Sequence, residues 1–233
     1  MLPKSKSLEV WWSLRRKITL LWDPKNDWIK PYVDDLKKKI IDHNRDEVRV
    51  VSDPKELKEG DIAFFIGCTF IVAEDKLNLH KRNCIIHESA LPYGRGFAPM
   101  AWQILEGRRE ITVSLILASV AVDAGDILLQ KVIYLQGTEL LPEWRSLQGQ
   151  VTRDLCWEYL SLEKEPSPVP QQGETTVFPR RTPKDSELDI GLSIEAQFDQ
   201  LRVVDNNRYP AFFTYQGQRY FLKIEKDFHP QKE

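Results

Sequence analysis

The chain has 233 residues, of which 42% are hydrophobic and 29% charged, and its formal net charge is −2. This length is sufficient for one domain with a full core and a small appendage. The net charge excludes a basic field that binds nucleic acid in bulk, and no uncharged apolar run is long enough to predict a membrane span.

Three cysteines, Cys68, Cys84 and Cys156, lie in apolar contexts and lack CxxC spacing. They predict reduced, buried thiols in a cytoplasmic protein, and they argue against a disulfide framework or a zinc site. The N-terminal WWSLRR stretch lacks the continuous apolar core of a signal peptide, so no leader is expected. Trp11 and Trp12 are expected to pack against other residues.

Strands and helices alternate through the first half of the chain. Residues 28–41 carry apolar side chains at helical spacing, and Asn26 or Asp27 is available to cap the helix. Residues 69–82 are expected to form a connecting segment in which His80 is exposed. The predicted strands cover residues 17–23, 48–51, 61–68 and 84–87.

The next elements follow from turn residues and apolar runs. A short helix is predicted over residues 99–107, because Pro99 suits a first turn and Gly107 suits the end of a helix. The other predicted elements are strands at 111–117 and 127–134 and a helix at 143–162. Since the two strands follow each other without a helix, they are expected to pair in antiparallel orientation.

This alternation predicts the α/β class, with a Rossmann-like, mostly parallel sheet that carries helices on both faces. The Pro-rich, polar stretch 166–179 is typical of a linker. We therefore expect a core domain over residues 1–165 and a small C-terminal subdomain over 180–233. That subdomain is predicted to hold a short helix and a β-hairpin around Gln216-Gly217.

Two strand ends carry candidate catalytic side chains. His87 follows the apolar segment Cys84-Ile85-Ile86 and opens the Gly- and Pro-rich loop HESALPYGRGFAP. Asp123 lies in VDAGD, at the end of the later apolar run. Because ligands of open α/β sheets bind at the carboxyl ends of strands, His87 and Asp123 form a candidate acid/base pair.

Less specific interpretations remain open at several of these positions. Asp123 and Asp126 are also typical of a simple turn, and Arg95 is also typical of a solvated loop. Arg180 and Arg181 are candidates for binding a substrate phosphate, with a structural salt bridge as the alternative. The GxG in YGRG lacks the third glycine and the acidic residue of a dinucleotide fingerprint.

Two motifs together resemble the folate-dependent formyltransferases, which include methionyl-tRNA, glycinamide ribonucleotide and sugar-nucleotide enzymes. The family pattern DxGD is matched by Asp123, Gly125 and Asp126. The pattern HxSxLPxxRGxxP is matched by His87, Ser89, Leu91, Pro92, Arg95, Gly96 and Pro99. The resemblance covers residues 61–135 and returns at 180–189.

The resemblance implies transfer of a formyl group from N10-formyltetrahydrofolate to a primary amine, without a metal. It implies that His87 polarises the formyl oxygen and relays protons. It also implies that Asp123 sets the protonation state of that histidine and acts as a base. Folate binding is expected, by the same resemblance, at Ser89, Leu91, Pro92, Gly94, Arg95, Gly96, Val122 and Asp123.

One position departs from the family pattern. The catalytic asparagine of the family lies two residues before the histidine, where this chain has Ile85. Asn83 cannot substitute, because an extended strand places it about 13 Å from His87. Either the site has lost a side-chain donor, at a typical cost of about 10²–10³ in rate, or another group supplies it. A folate- or nucleotide-binding pseudoenzyme is therefore the alternative to an active enzyme.

The resemblance is strongest to the sugar-nucleotide N-formyltransferases, because of the sequence segment WQILEG and the short C-terminal hairpin. The expected acceptor is a nucleotide-linked 4-amino-4,6-dideoxyhexose for surface polysaccharide synthesis. Methionyl-tRNA is disfavoured by the negative net charge and the short C-terminal part. A glycinamide ribonucleotide enzyme would lack the FPRRTPKDSELD segment. A homodimer with the aromatic hairpin as contact surface is expected, without nucleic acid or membrane partners.

Overall fold

The computed structural model describes residues 12–227, so Trp11 lies outside the described residues. The α-helices are α1 (Lys30–His43), α2 (Glu74–Leu77), α3 (Pro99–Leu105), α4 (Leu141–Ser161) and α5 (Phe198–Arg202). The strands are β1 (Lys17–Trp22), β2 (Glu47–Val51), β3 (Gly60–Ile66), β4 (His80–His87), β5 (Arg95–Gly96), β6 (Glu110–Leu117), β7 (Ile127–Tyr134), β8 (Val177–Phe178), β9 (Ala211–Tyr215) and β10 (Gln218–Leu222).

Six strands form the central sheet, in the order β2-β1-β3-β4-β6-β7. The pairs β1–β2, β1–β3 and β3–β4 are parallel. The pairs β4–β6 and β6–β7 are antiparallel. The second pair confirms the expectation for the two strands that follow each other without a helix. The carboxyl ends of β1, β3 and β4 consequently share one edge of the sheet, and the loops that follow them meet there.

Both faces of the sheet are covered. Strand residues such as Phe64 and Cys84 are fully buried in the main core, to which α1, α3 and α4 contribute. A smaller cluster around Phe65 covers the other face, where Leu77 of α2 packs. Trp12 is buried and meets the Tyr159 ring edge-on at 5.0 Å between centroids, as its predicted packing role requires. The predicted sheet with helices on both faces is confirmed.

The first helical segment begins earlier than predicted. Asp23, not Asn26 or Asp27, is the cap: its carboxylate accepts from the backbone N–H of Lys25 at 2.9 Å. Pro24 sets the first turn of a 3₁₀ segment, Pro24–Ile29, that runs directly into α1. Burial opposes ionisation of Asp23, but hydrogen bonds from Thr69 and Lys25 leave its pKa below the usual value.

His80 is buried, so the prediction of an exposed side chain is wrong. β4 begins at His80 rather than at residue 84, because this segment continues the pairing with β3, where Gly60 lies opposite His80. Thr19 Oγ1 lies 2.8 Å from His80 Nε2 and also accepts from Arg49 Nε at 2.9 Å. Burial, with the charge of Arg49, lowers the pKa of His80 to about 4.

The C-terminal hairpin is confirmed by the antiparallel pairing of β9 with β10. Its two loop residues, Gln216 and Gly217, both have positive φ, as a two-residue hairpin loop of this hand requires. Phe212 is buried, whereas Tyr215 and Phe221 are exposed. Their role as a dimer contact stays a prediction.

The stretch 166–179 lies along the sheet and the loop after β4. Val169 and Ile127 exchange two backbone hydrogen bonds of 2.8 Å each. Further on, β8 pairs with β5 in parallel register. This stretch thus carries contacts across the edge where β4 ends. No helix within residues 12–227 is long and apolar enough to cross a membrane.

His80 predicts a specific loss of stability in mild acid. In the unfolded chain the imidazole binds a proton below its ordinary pKa of 6.5, whereas in the folded chain it does so only near pH 4. Because the unfolded state then binds more protons, the free energy of unfolding falls as the pH falls from 6.5 to 4. His80→Gln keeps a hydrogen-bonding group for Thr19, does not titrate in this range, and should reduce this fall. Urea unfolding at stepped pH measures it, and parallel curves for the two proteins would contradict the prediction.

Candidate active site

The carboxyl ends of β3 and β4 open onto a cavity of about 650 Å³. His87 is the last residue of β4 and lies in the cavity wall. Asp123 lies on the loop between β6 and β7 and also lines the cavity, as do residues of α4. This is the edge at which open α/β sheets bind ligands, and its volume is in the range of about 300–1,000 Å³ that ligand pockets occupy.

The structure brings the predicted acid/base pair together. His87 is 5% exposed, and its Nε2 lies 2.7 Å from the carbonyl oxygen of Gly94. A carbonyl only accepts, so Nε2 donates and Nδ1 is the nitrogen that faces Asp123, 3.6 Å from Oδ2. The same Oδ2 accepts the backbone N–H of Gly96 at 2.9 Å. A proton on Nδ1 would therefore lie between the imidazole and the carboxylate.

Gly96 allows the loop after β4 to pass close to β8. Its φ is +100°, and a Cβ there would come within 2.4 Å of the Phe178 carbonyl oxygen. Gly94 has a φ of +71° and would meet the Phe178 ring in the same way. Both residues also carry the backbone groups that hold His87 and Asp123. The two glycines of YGRG are thus required for the site's shape rather than for binding a dinucleotide.

Three of the predicted folate-binding residues line the cavity: Gly96, Val122 and Asp123. The others do not line it and belong to the loop after β4: Ser89, Leu91, Pro92, Gly94 and Arg95. Ser89 is fully buried and its carbonyl accepts from the hydroxyl of Ser114 at 2.7 Å. The peptide bond between Leu91 and Pro92 is cis.

Arg95 is paired rather than solvated. Its Nη2 donates to Gln171 Oε1 at 2.6 Å, and Gln171 Nε2 in turn donates to the carbonyls of Asp123 and Gly125 at 2.8 Å. A Cβ on Gly125 would lie 1.7 Å from the Leu117 carbonyl oxygen, so only glycine fits there. Arg95 consequently connects the loop after β4 to the loop that presents Asp123.

Ile85 forms an apolar part of the cavity wall, two residues before His87. It packs with Phe65 in the smaller core cluster and offers no hydrogen bond to a ligand. The Asn83 amide donates to the Leu77 carbonyl at 2.8 Å, and Asn83 does not line the cavity. The structure therefore places no asparagine side chain beside His87 at this part of the wall.

Glu88 is a site residue that the sequence analysis missed. It lines the cavity directly after His87, and its Oε1 accepts from Gln148 Nε2 of α4 at 2.7 Å. Burial raises the pKa of Glu88, while the charge of His87 and the bond from Gln148 oppose this rise. A carboxylate immediately after a strand end was a visible signal, but Gln148 lies 60 positions away in the sequence.

Three arginines line one part of the cavity. Arg180 lies over the Phe97 ring, 4.1 Å from its centroid. Arg181 donates to the carbonyls of Val203 at 2.9 Å and Asp185 at 3.1 Å, so part of its role is structural. Arg145, which the sequence analysis did not identify, reaches the same cavity from α4.

Arg145 is held between an aromatic ring and a carboxylate. Its guanidinium lies 5.4 Å from the Trp28 ring centroid and 3.4 Å from Asp205. Trp28 and Tyr209 line the cavity beside it. Within residues 12–227, no group of three His, Cys, Asp or Glu side chains is arranged to hold a metal ion.

Residues 33–142 match the sequence model of a family described as Formyl transferase. A methionyl-tRNA formyltransferase of Synechococcus sp. (strain JA-2-3B'a(2-13)) is 31% identical over 196 residues. That match covers 79% of this chain and 58% of the relative. The chain thus spans little more than half the length of that curated relative.

Two solved structures share the fold. A sugar N-formyltransferase from Shewanella sp. has a TM-score of 0.70 at 13% identity, with 92% of this chain and 99% of that chain covered. HypX from Aquifex aeolicus, in complex with tetrahydrofolic acid, has a TM-score of 0.69 at 18% identity. This second match covers 90% of this chain and 38% of HypX.

Gly96→Ala should destabilise the protein more than Gly107→Ala does. Both residues have positive φ, but a Cβ at Gly107 has nothing within 4 Å, whereas at Gly96 it meets the Phe178 carbonyl. The shared φ strain costs about 1 kcal/mol, and the backbone clash should add about 1–3 kcal/mol at Gly96 alone. Urea unfolding measures both variants. Equal destabilisation would show that β5 and β8 do not constrain each other.

Proposed function

The chain belongs to the folate-dependent formyltransferase family, and from this premise we propose that it transfers a formyl group from N10-formyltetrahydrofolate to a primary amine. The observation that carries the proposal is the pairing of His87 with Asp123 in the wall of a ligand-sized cavity. Both residues also occupy their positions in the family motifs.

The proposed chemistry assigns a task to each member of the pair. The amine must be neutral to attack, and it must lose a proton as the new C–N bond forms. Asp123 is the base for that proton, and Nδ1 of His87 faces the same carboxylate and can pass the proton on. The family resemblance also assigns polarisation of the formyl oxygen to His87, which would require Nε2 to leave the Gly94 carbonyl.

N10-formyltetrahydrofolate is the proposed co-substrate, without a metal. Its support is the family and the shared fold with HypX, whose structure contains tetrahydrofolic acid. Gly96, Val122 and Asp123 are proposed to contact it, because they line the cavity around His87. Ser89, Leu91, Pro92, Gly94 and Arg95 are proposed to hold the loop that receives it.

A nucleotide-linked amino sugar, of the 4-amino-4,6-dideoxyhexose type, is the proposed acceptor, destined for surface polysaccharide. The fold is similar to a sugar N-formyltransferase over almost the whole of both chains. Arg180 and Arg181 line the cavity and offer cationic partners for a diphosphate. The Trp28 and Tyr209 rings beside them are suited to contacts with a sugar or a base.

Methionyl-tRNA is the second candidate acceptor, favoured by the 31% identity to a methionyl-tRNA formyltransferase. Against it stands the net charge of −2, since binding of a tRNA relies on a basic surface that neutralises phosphates.

Ile85 motivates the other alternative, a folate-binding pseudoenzyme. A homodimer in contact through the exposed aromatic residues of the hairpin completes the proposal.

Single-turnover assays with N10-formyltetrahydrofolate test the function directly. The wild-type protein should formylate an amino-sugar nucleotide, and His87→Ala and Asp123→Asn should each lower kcat by about 10²–10⁴. Circular dichroism and calorimetry should show that both variants remain folded and bind the folate. Formylation of methionyl-tRNA alone would favour the second acceptor. Binding of both ligands without transfer would identify a pseudoenzyme.

Arg180→Ala should raise KM for the nucleotide sugar about tenfold or more and leave kcat largely unchanged, because a charged hydrogen bond is lost from binding. Arg219→Ala is a matched control, since Arg219 also lies over a phenylalanine ring, at 4.3 Å from Phe212, but does not line the cavity. Steady-state kinetics with varied acceptor measures both. Equal effects of the two substitutions would remove Arg180 from the acceptor site.

A further inference from the structure

We propose that Glu88 is a catalytic residue whose carboxyl group donates a hydrogen bond to the formyl oxygen, in place of the donor that Ile85 cannot supply. This inference rests on the proposed formyl transfer. It assigns a residue outside the family motif to the stabilisation of charge on the reacting oxygen. The argument uses the position of Glu88, its hydrogen bonds and its surroundings.

Glu88 is held in position on both its backbone and its side chain. Its carbonyl accepts from Gln103 Nε2 of α3, and its Oε1 accepts from Gln148 Nε2 of α4 at 2.7 Å. Glu88 and Gln148 both line the cavity that His87 and Asp123 share. The carboxyl group also interacts with the Glu88 backbone N–H, and among the side chains of the described residues only Gln148 donates to it.

The other side-chain donors of the wall near the ends of β3 and β6 are engaged within the protein. Asn26 Nδ2 donates to the Gly67 carbonyl at 2.7 Å, Thr69 Oγ1 donates to Asp23, and Ser119 Oγ donates to the Ala121 carbonyl at 2.6 Å. Ile85 is apolar, and the amide of Asn83 is used by the Leu77 carbonyl. His87 Nε2 donates to Gly94, and Asp123 is an acceptor for Gly96. A hydrogen bond to the formyl oxygen therefore has few sources, and Glu88 is adjacent to His87.

Desolvation shifts Glu88 toward its neutral form, which has one acceptor and one donor oxygen. Burial raises the pKa of Glu88 and the negative charge of Asp123 adds to the rise, whereas the charge of His87 and the hydrogen bonds from Gln148 and the Glu88 backbone oppose it. The other charged groups of the cavity are Arg145, Arg180 and Arg181, of which Arg145 pairs with Asp205. With Oε1 engaged by Gln148, the proton of the acid lies on Oε2.

Glu88 keeps its proton throughout the reaction. The amine nitrogen forms a bond to the formyl carbon, and the electron pair of the C=O bond moves to the oxygen, which accepts the hydrogen bond from Glu88. When this pair returns, the bond from carbon to N10 of the folate breaks. N10 gains a proton, and the amine nitrogen loses one to Asp123 or His87.

Kinetics of three variants test the inference. Glu88→Ala should lower kcat about 10²–10³-fold, as loss of one such donor does, whereas Glu88→Gln should retain activity within about tenfold. The glutamine is nearly isosteric, still accepts from Gln148 and still offers a donor. Ile85→Asn should restore much of the activity lost in Glu88→Ala. Equal loss in Glu88→Gln and Glu88→Ala would overturn the proposal, because that pattern belongs to a base.

A spectroscopic measurement separates this inference from the proposed function. With no acceptor present, the infrared C=O stretch of a ¹³C-labelled formyl group on bound N10-formyltetrahydrofolate should lie lower in the wild type and Glu88→Gln than in Glu88→Ala. The same frequency in all three proteins overturns the hydrogen bond, whatever the turnover. A shifted frequency without transfer to any acceptor supports the hydrogen bond and overturns the enzyme function.

Discussion

The position of the His87 imidazole is the constraint on which the rest of this site depends. Its Nε2 is held by the Gly94 carbonyl, and Gly94 is in turn held by a hydrogen bond from its N–H to Thr176 Oγ1 at 2.8 Å. The loop must therefore cross close to β8, which requires glycine at positions 94 and 96. Gly96 then presents its N–H to Asp123. The close approach of this loop to β8 thus fixes His87, Asp123 and the stretch 166–179 relative to one another.

Two carboxyl groups flank this one imidazole in different environments. Asp123 accepts a backbone N–H from Gly96 and faces Nδ1 of His87. Glu88 is half-buried and accepts from Gln148 of α4, and desolvation raises its pKa. Environments that differ in this way are the usual means by which one site holds both an acid and a base. The proposed division of tasks, with Asp123 as base and Glu88 as donor, follows from that difference. It also makes Ile85 compatible with an active enzyme.

The parts of the fold that were predictable are those set by local patterns. Apolar runs and helical spacing located the strands and helices of the sheet, and Gln216-Gly217 located the hairpin turn, because these signals need only neighbouring residues. His80 was misplaced because its burial depends on pairing between β4 and β3 and on the space beside Gly60. Asp23 was missed as a cap because the first strand was extended to residue 23 and the 3₁₀ segment Pro24–Ile29 was not predicted.

The sequence by itself determined the α/β class, the family motifs and the two strand ends that carry His87 and Asp123. It also determined that Ile85 occupies the position of the family's catalytic asparagine, since that position is defined by its spacing from the histidine. Only the tertiary structure decided which side chains share the cavity, because α4 brings Arg145 and Gln148 to Glu88 by packing on the sheet. Motif spacing is a property of one segment, whereas a cavity wall is built from segments distant in the chain.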